Sequence, residues 1–163
     1  MKQLEITSLI RECSFDELNE LDQRLVIMAK EATQRAYAPF SKYQVGAAIL
    51  LDNSKIVEGS NQENAAYPSG TCAERTAAFY ASSANPGIAF KKLAIAAWMD
   101  PGKDKDFEEG FQKQPVSPCG GCRQALLEYE HLYGDIEVLL YGSDKIYILP
   151  SIKSLLPLAF TDF

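Results

Sequence analysis

Two short stretches constrain this chain more than any other feature. They are Thr71-Cys72-Ala73-Glu74-Arg75 and Ser117-Pro118-Cys119-Gly120-Gly121-Cys122-Arg123-Gln124. Each reads as the start of a helix. Thr71 can cap a helix that includes Cys72, and Glu74, three residues on, completes a capping box. Ser117 can cap a second helix with Pro118 at its first position, where a missing N–H costs nothing. Cys119 and Cys122 then lie at i and i+3 on one face. The positive end of a helix dipole favours the thiolate, which is the metal-binding form of cysteine. A fold that brings the two tips together would assemble Cys72, Cys119 and Cys122 into a metal site. Three thiolates can hold Zn²⁺ and leave its fourth position open, as catalytic rather than structural zinc sites do.

The local sequence leaves other readings open. Glu74 could serve only as a capping residue. Cys119 and Cys122 could form a redox pair or half of a closed zinc knuckle. A closed site wants a fourth ligand, and His131 is the only histidine. Its helical, polar surroundings read as surface.

The rest of the chain supplies a scaffold for these tips. Its 163 residues suit one domain, taken here as 1–163, with residues 1–13 as an N-terminal arm. A chain of this length can bury roughly 68–70% of its unfolded surface. Ser14 and Glu17 form a further capping box ahead of Leu18, Leu21, Leu25, Met28, Ala29 and Ala32, spaced as an amphipathic helix that ends near Ala38-Pro39. Val45–Leu51 and Lys55–Ser60 read as a hairpin around Asp52-Asn53. Asn61-Gln62-Glu63-Asn64 leaves the sheet as a cluster of polar side chains, either a ligand-binding strand end or a solvated turn. Leu93–Met99 is apolar enough to be buried on both faces. Residues 100–115 are charged and glycine-containing, and read as an inserted loop or short helix. Ile136–Tyr141 and Lys145–Leu149 give two more strands. The expected fold is α/β: one domain, a mixed five-stranded sheet and helices on both faces.

Charge and cysteine count narrow the function. The net charge is −6 with no cluster of Lys or Arg, which disfavours a polynucleotide partner. No apolar run reaches membrane-spanning length and no basic-then-apolar leader opens the sequence, so a soluble cytoplasmic protein is expected. Cys13 is left over from the cysteine constellation, poor arithmetic for a disulfide framework. The tail around Leu155-Leu156-Pro157-Leu158-Ala159-Phe160 is apolar enough to call for cover by its own domain or a neighbouring subunit.

These motifs together resemble a known family. Ala38-Pro39-Phe40-Ser41-Lys42-Tyr43-Gln44-Val45-Gly46-Ala47-Ala48, Asn61-Gln62-Glu63-Asn64-Ala65-Ala66-Tyr67, Cys72-Ala73-Glu74-Arg75, Pro118-Cys119-Gly120-Gly121-Cys122 and Leu155-Leu156-Pro157 are similar to the small, homotetrameric, three-cysteine cytidine deaminases. The resemblance covers about residues 25 to 160. It implies a cytidine deaminase-like fold with one Zn²⁺ per subunit on Cys72, Cys119 and Cys122. Glu74 would be the catalytic acid/base and Arg75 the cation that offsets the thiolate charge. Asn61 and Glu63 would hold the ribose hydroxyls, and Tyr43 would stand at the family's stacking phenylalanine position. Phe160 would reach a neighbouring subunit's pocket. The implied reaction is hydrolytic deamination of cytidine and deoxycytidine in pyrimidine salvage, on a small nucleoside and with neither nucleic acid nor membrane as partner. A blasticidin-type aminohydrolase of the same superfamily and a non-enzymatic structural zinc module are the alternatives.

Overall fold

The structure, a computed structural model, describes residues 1–161. Six strands form one sheet in the order β1-β6-β5-β4-β2-β3. They are β1 (Arg11–Cys13), β2 (Gln44–Leu51), β3 (Ile56–Ser60), β4 (Phe90–Trp98), β5 (Glu137–Tyr141) and β6 (Ile146–Leu149). Only β4 and β5 pair in parallel; every other neighbouring pair is antiparallel. Three α-helices accompany them: α1 (Glu20–Thr33), α2 (Ala73–Ala84) and α3 (Gly120–Tyr133). Among the described residues no helix is long and apolar enough to cross a membrane.

The expected five strands become six because β1 joins the edge. The sequence reading places residues 11–13 in the N-terminal arm. Instead Arg11, Glu12 and Cys13 register against Ile148, Tyr147 and Ile146. Three residues carry too little alternation to announce a strand; the unpaired edge of β6 recruits them.

Alternation along the central strands explains why helices cover both faces. Ala47, Ile49, Leu93, Ile95, Val138 and Leu140 point one way and pack with α2 and α3. Ala48, Leu50, Ala94, Ala96, Leu139 and Tyr141 point the other way and pack with α1. All of these are buried, as expected for strands covered on both sides.

The start of α1 corrects the sequence reading. The Ser14 amide and hydroxyl do donate to the Glu17 carboxylate, at 2.7 and 2.9 Å. That box closes only a 3₁₀ turn, Phe15–Glu17. The chain extends again at Leu18, and Asn19 caps α1 by accepting from the Asp22 amide at 3.0 Å.

Residues 100–115 are pinned to the sheet. Phe107 stacks on Trp98, whose indole N–H donates to the Phe107 carbonyl at 2.8 Å. Phe111 is buried edge-on between Phe107 and Tyr141. The Lys30 ammonium lies over the rings of Phe111 and Tyr141 and pairs with Glu108 at 2.6 Å. The segment is thus anchored on the α1 face.

Close approach of backbone sets the position of α2. A Cβ at Gly59 on β3 would lie 2.4 Å from the Ala77 nitrogen and 2.6 Å from the Ala73 oxygen. Only glycine lets the first turns of α2 rest directly on the sheet.

Candidate active site

Both helix tips carry cysteine at the cap itself. Cys72 is the N-cap of α2 and Cys119 the N-cap of α3, each with extended backbone and no side-chain capping bond. The expected caps therefore move: Thr71 and Ser117 lie outside the helices. Thr71 is held instead by a backbone bridge to Gln62, with N···O distances of 2.9 Å in both directions. Glu74 does not act in a capping box, so its carboxylate is released from that competing role.

The two tips meet. The sulfur atoms of Cys72, Cys119 and Cys122 all lie within 4.8 Å of one another. Cys72 and Cys119 are 3.8 Å apart, and Cys119 and Cys122 are 3.4 Å apart. Two thiolates on one tetrahedral zinc, each at about 2.3 Å, would be separated by about 3.8 Å. The cluster therefore has the spacing that zinc requires. Among the described residues no fourth Cys, His, Asp or Glu joins the group. His131 is exposed in the last turn of α3. Nine residues of helix put it about 13 Å along the axis from Cys122.

Charge at the site is arranged around the sulfurs. The hydrogen bond from Cys122 pushes the Cys72 thiol down to about 5 against the cost of burial, with Arg75 and Cys119 assisting. Cys122 moves the other way: its bond to Cys72 and its burial both favour the protonated thiol. The Arg75 guanidinium donates to Cys72 Sγ at 3.7 Å. Its Nε is buried without a hydrogen-bond partner among the described residues. A cation committed to the sulfur cluster in this way suits a centre that gathers negative thiolates.

Glu74 sits in the first turn of α2 and is only 4% exposed. Burial pushes its carboxyl above the usual range, partly opposed by its own backbone amide, while the Cys72 thiolate adds to the rise. A buried carboxyl that holds a proton more readily than usual suits acid/base work.

A cleft of about 540 Å³ opens onto this cluster at Cys72 and Arg75, and runs past Asn61, Glu63, Phe40 and Tyr67. Asn61 is fixed by the backbone at both ends of its amide: Oδ1 accepts from the Val45 amide at 2.7 Å and Nδ2 donates to the Tyr43 carbonyl at 2.9 Å. One Glu63 oxygen accepts from the Phe40 and Ser41 amides at 2.8 and 3.3 Å. The Ser41 hydroxyl and those amides hold its carboxyl below the ordinary range. Tyr43 is half-buried and is not among the cleft-lining residues; burial raises its phenol. The rings on the cleft are Phe40 and Tyr67, edge-to-face at 6.2 Å. The aromatic motif signalled rings in this loop, but it did not separate Phe40 from Tyr43 or bring in Tyr67. None of residues 100–115 lines the cleft. Phe160 is exposed, and its backbone is paired with the Gln124 amide. Arg123 is partly buried and donates to two carbonyls, Pro118 and Leu155, both at 2.8 Å.

The chain is similar to known proteins. The cytidine and deoxycytidylate deaminase zinc-binding region matches residues 19–133. The cytidine deaminase of Sporosarcina psychrophila is 42% identical over 125 residues, 71% of this chain and 81% of that one. That of Halalkalibacterium halodurans is 36% identical over 148 residues, 85% of this chain and 93% of that one. The crystal structure of cytidine deaminase from Burkholderia pseudomallei superposes with a TM-score of 0.68 at 36% identity, covering 84% of this chain and 97% of that one. With its three-sulfur cluster built on two helix tips, the chain belongs to the cytidine and deoxycytidylate deaminase family and carries that family's zinc-binding region.

Proposed function

We propose that this protein is a zinc-dependent cytidine deaminase, converting cytidine and deoxycytidine to uridine and deoxyuridine with release of ammonia. The observation that carries the reading is a buried carboxylate two residues beyond one ligand of an open three-thiolate cluster. Cys72, Cys119 and Cys122 would hold the metal. When bound, zinc supplies Lewis-acid activation of water at its open position. The chain's own groups supply the rest. Glu74 accepts the proton of the attacking water and passes it to N3 of the pyrimidine; it then takes the proton of the hydroxyl added at C4 and delivers it to the departing amine, leaving the C4 carbonyl of the product. Arg75 balances the thiolate charge from the side of Cys72.

Substrate contacts follow from the cleft. Asn61 and Glu63 are assigned to the ribose hydroxyls, supported by their place on the wall that leads to Cys72. Tyr43, whose carbonyl holds Asn61, keeps the aromatic role at that end, with Phe40 as the cleft ring. The active unit is proposed as a single domain and a cytoplasmic homotetramer in pyrimidine salvage. The exposed, apolar Leu158 and Phe160 support contact with a neighbouring subunit.

The test is direct. Purified protein is incubated with cytidine, deoxycytidine and CMP, loss of the amine is followed by absorbance, and metal is measured on the same sample. Both nucleosides should react with one zinc per chain. A zinc-loaded protein that leaves both unchanged overturns the reading, and a preference for CMP moves the substrate to nucleotides.

A further inference from the structure

The C-terminal tail is strapped to the turn that bears two of the three sulfurs. Cys122, Arg123 and Gln124 are consecutive on the first turns of α3. Cys122 faces the cluster, while its two successors face the tail. Arg123 bridges the Pro118 carbonyl, next to Cys119, and the Leu155 carbonyl, at 2.8 Å each. The Gln124 amide pairs with the backbone of Phe160, donating to its carbonyl at 2.7 Å and accepting from its N–H at 3.4 Å. The two tail contacts, at Leu155 and Phe160, fall within one six-residue stretch.

A second lock lies at the other end of α3. Glu130 is 1% exposed, yet no cation pairs with it among the described residues. Its carboxylate accepts from three backbone amides: Ile136 at 3.0 Å, Ile152 at 2.6 Å and Lys153 at 3.0 Å. Two of those amides open the 3₁₀ turn Ile152–Leu155, whose last carbonyl is the one Arg123 grips. A buried carboxylate is costly unless such bonds satisfy it, so the turn and the charge hold each other in place.

We propose that Arg123 is a positioning residue which, with the 3₁₀ turn fixed by Glu130, couples docking of the C-terminal tail to retention of metal by Cys119 and Cys122. The inference rests on the zinc assignment above. The guanidinium fixes the Pro118 carbonyl and hence the direction from which Cys119 enters the cluster. It can do so only while Leu155 is docked. Coupling between two events is reciprocal. A loosened tail should release zinc faster, and removal of zinc should loosen the tail.

Zinc release to a chromogenic chelator is measured on the loaded protein for wild type, Arg123→Ala, Arg123→Lys, Glu130→Gln and, as a control, Leu25→Ala, which lies in the core on the opposite face. Arg123→Ala should release zinc about tenfold faster or more. Glu130→Gln should accelerate release as well, although it makes no contact with a cysteine. Arg123→Lys should recover part of the loss. Leu25→Ala should lower the melting temperature and leave the release rate unchanged. On wild type alone, hydrogen exchange at the Ile152 and Lys153 amides should quicken about fivefold or more once zinc is stripped. Release at the wild-type rate in both Arg123→Ala and Glu130→Gln, equal acceleration in Leu25→Ala, or amide exchange indifferent to zinc would each overturn the coupling. Wild type that binds no zinc at all would instead overturn the metal reading on which it rests.

Discussion

Helix α1 and the pair α2/α3 lie on opposite faces of one sheet and begin in opposite ways. α1 starts on Asn19, whose side chain accepts from the Asp22 amide. α2 and α3 start on Cys72 and Cys119, and neither side chain caps its helix. An uncapped helix end leaves N–H groups unsatisfied and a positive potential exposed. On the α1 face that would be a defect, and asparagine removes it. On the other face the same feature is turned on sulfur, where it favours the thiolate. One face is built for stability and the other gives some of it up to hold charge.

That contrast can be broken most severely at the sulfurs. Cys122→Ala should reduce zinc per chain from one to none and turnover to background, both read on a single preparation; stoichiometric zinc in the variant would mean the cluster is not the metal site. Glu74→Gln comes next. It should cost about 10²–10⁴ in kcat while zinc content stays at wild type. Near-normal turnover would return Glu74 to a structural role.

Smaller changes sharpen the comparison. Asn19→Ala should lower unfolding free energy by about 1 kcal/mol in denaturant titrations, with zinc and kcat unaltered. An effect on zinc there would show that the two faces are not independent. Cys119→Ser installs an ordinary cap on α3. In zinc-free protein it should raise stability by at most about 1 kcal/mol, and a melting point below that of the zinc-free parent would argue against the idea that the cysteine cap is a concession.

Most of this division could be read in the sequence, because periodicity and turn chemistry act locally. The strands from Gln44 to Leu149 fall close to the apolar runs, and α2 and α3 start within three residues of the expected positions. The clustering of Cys72, Cys119 and Cys122 was legible, and Glu74 stood out as a candidate beside them, because so few side chains bind metal or move protons. What failed depended on distant partners. β1 exists only because β6 offers an edge. Ser14 and Glu17 made the expected bonds, but Leu18 stayed extended and a second cap took over. The charged composition of residues 100–115 hid two anchors, Phe107 and Phe111, which needed Trp98 and Tyr141 to declare themselves. The role of Arg123 was not legible because its acceptors are carbonyls, one of them 32 residues away, and carbonyls leave no mark in a sequence.

Gly59 lies outside the cleft and touches none of the groups assigned to chemistry, yet the N-terminal half of α2 sits against its bare Cα. A single added methyl would lift Cys72 and Glu74 together, away from Cys119 and Cys122. A saturation screen scored on growth should therefore find position 59 as intolerant as the cysteines. Intolerance there would record a spacing held to a fraction of an ångström, so a map of forbidden substitutions alone would mistake a spacer for a reagent.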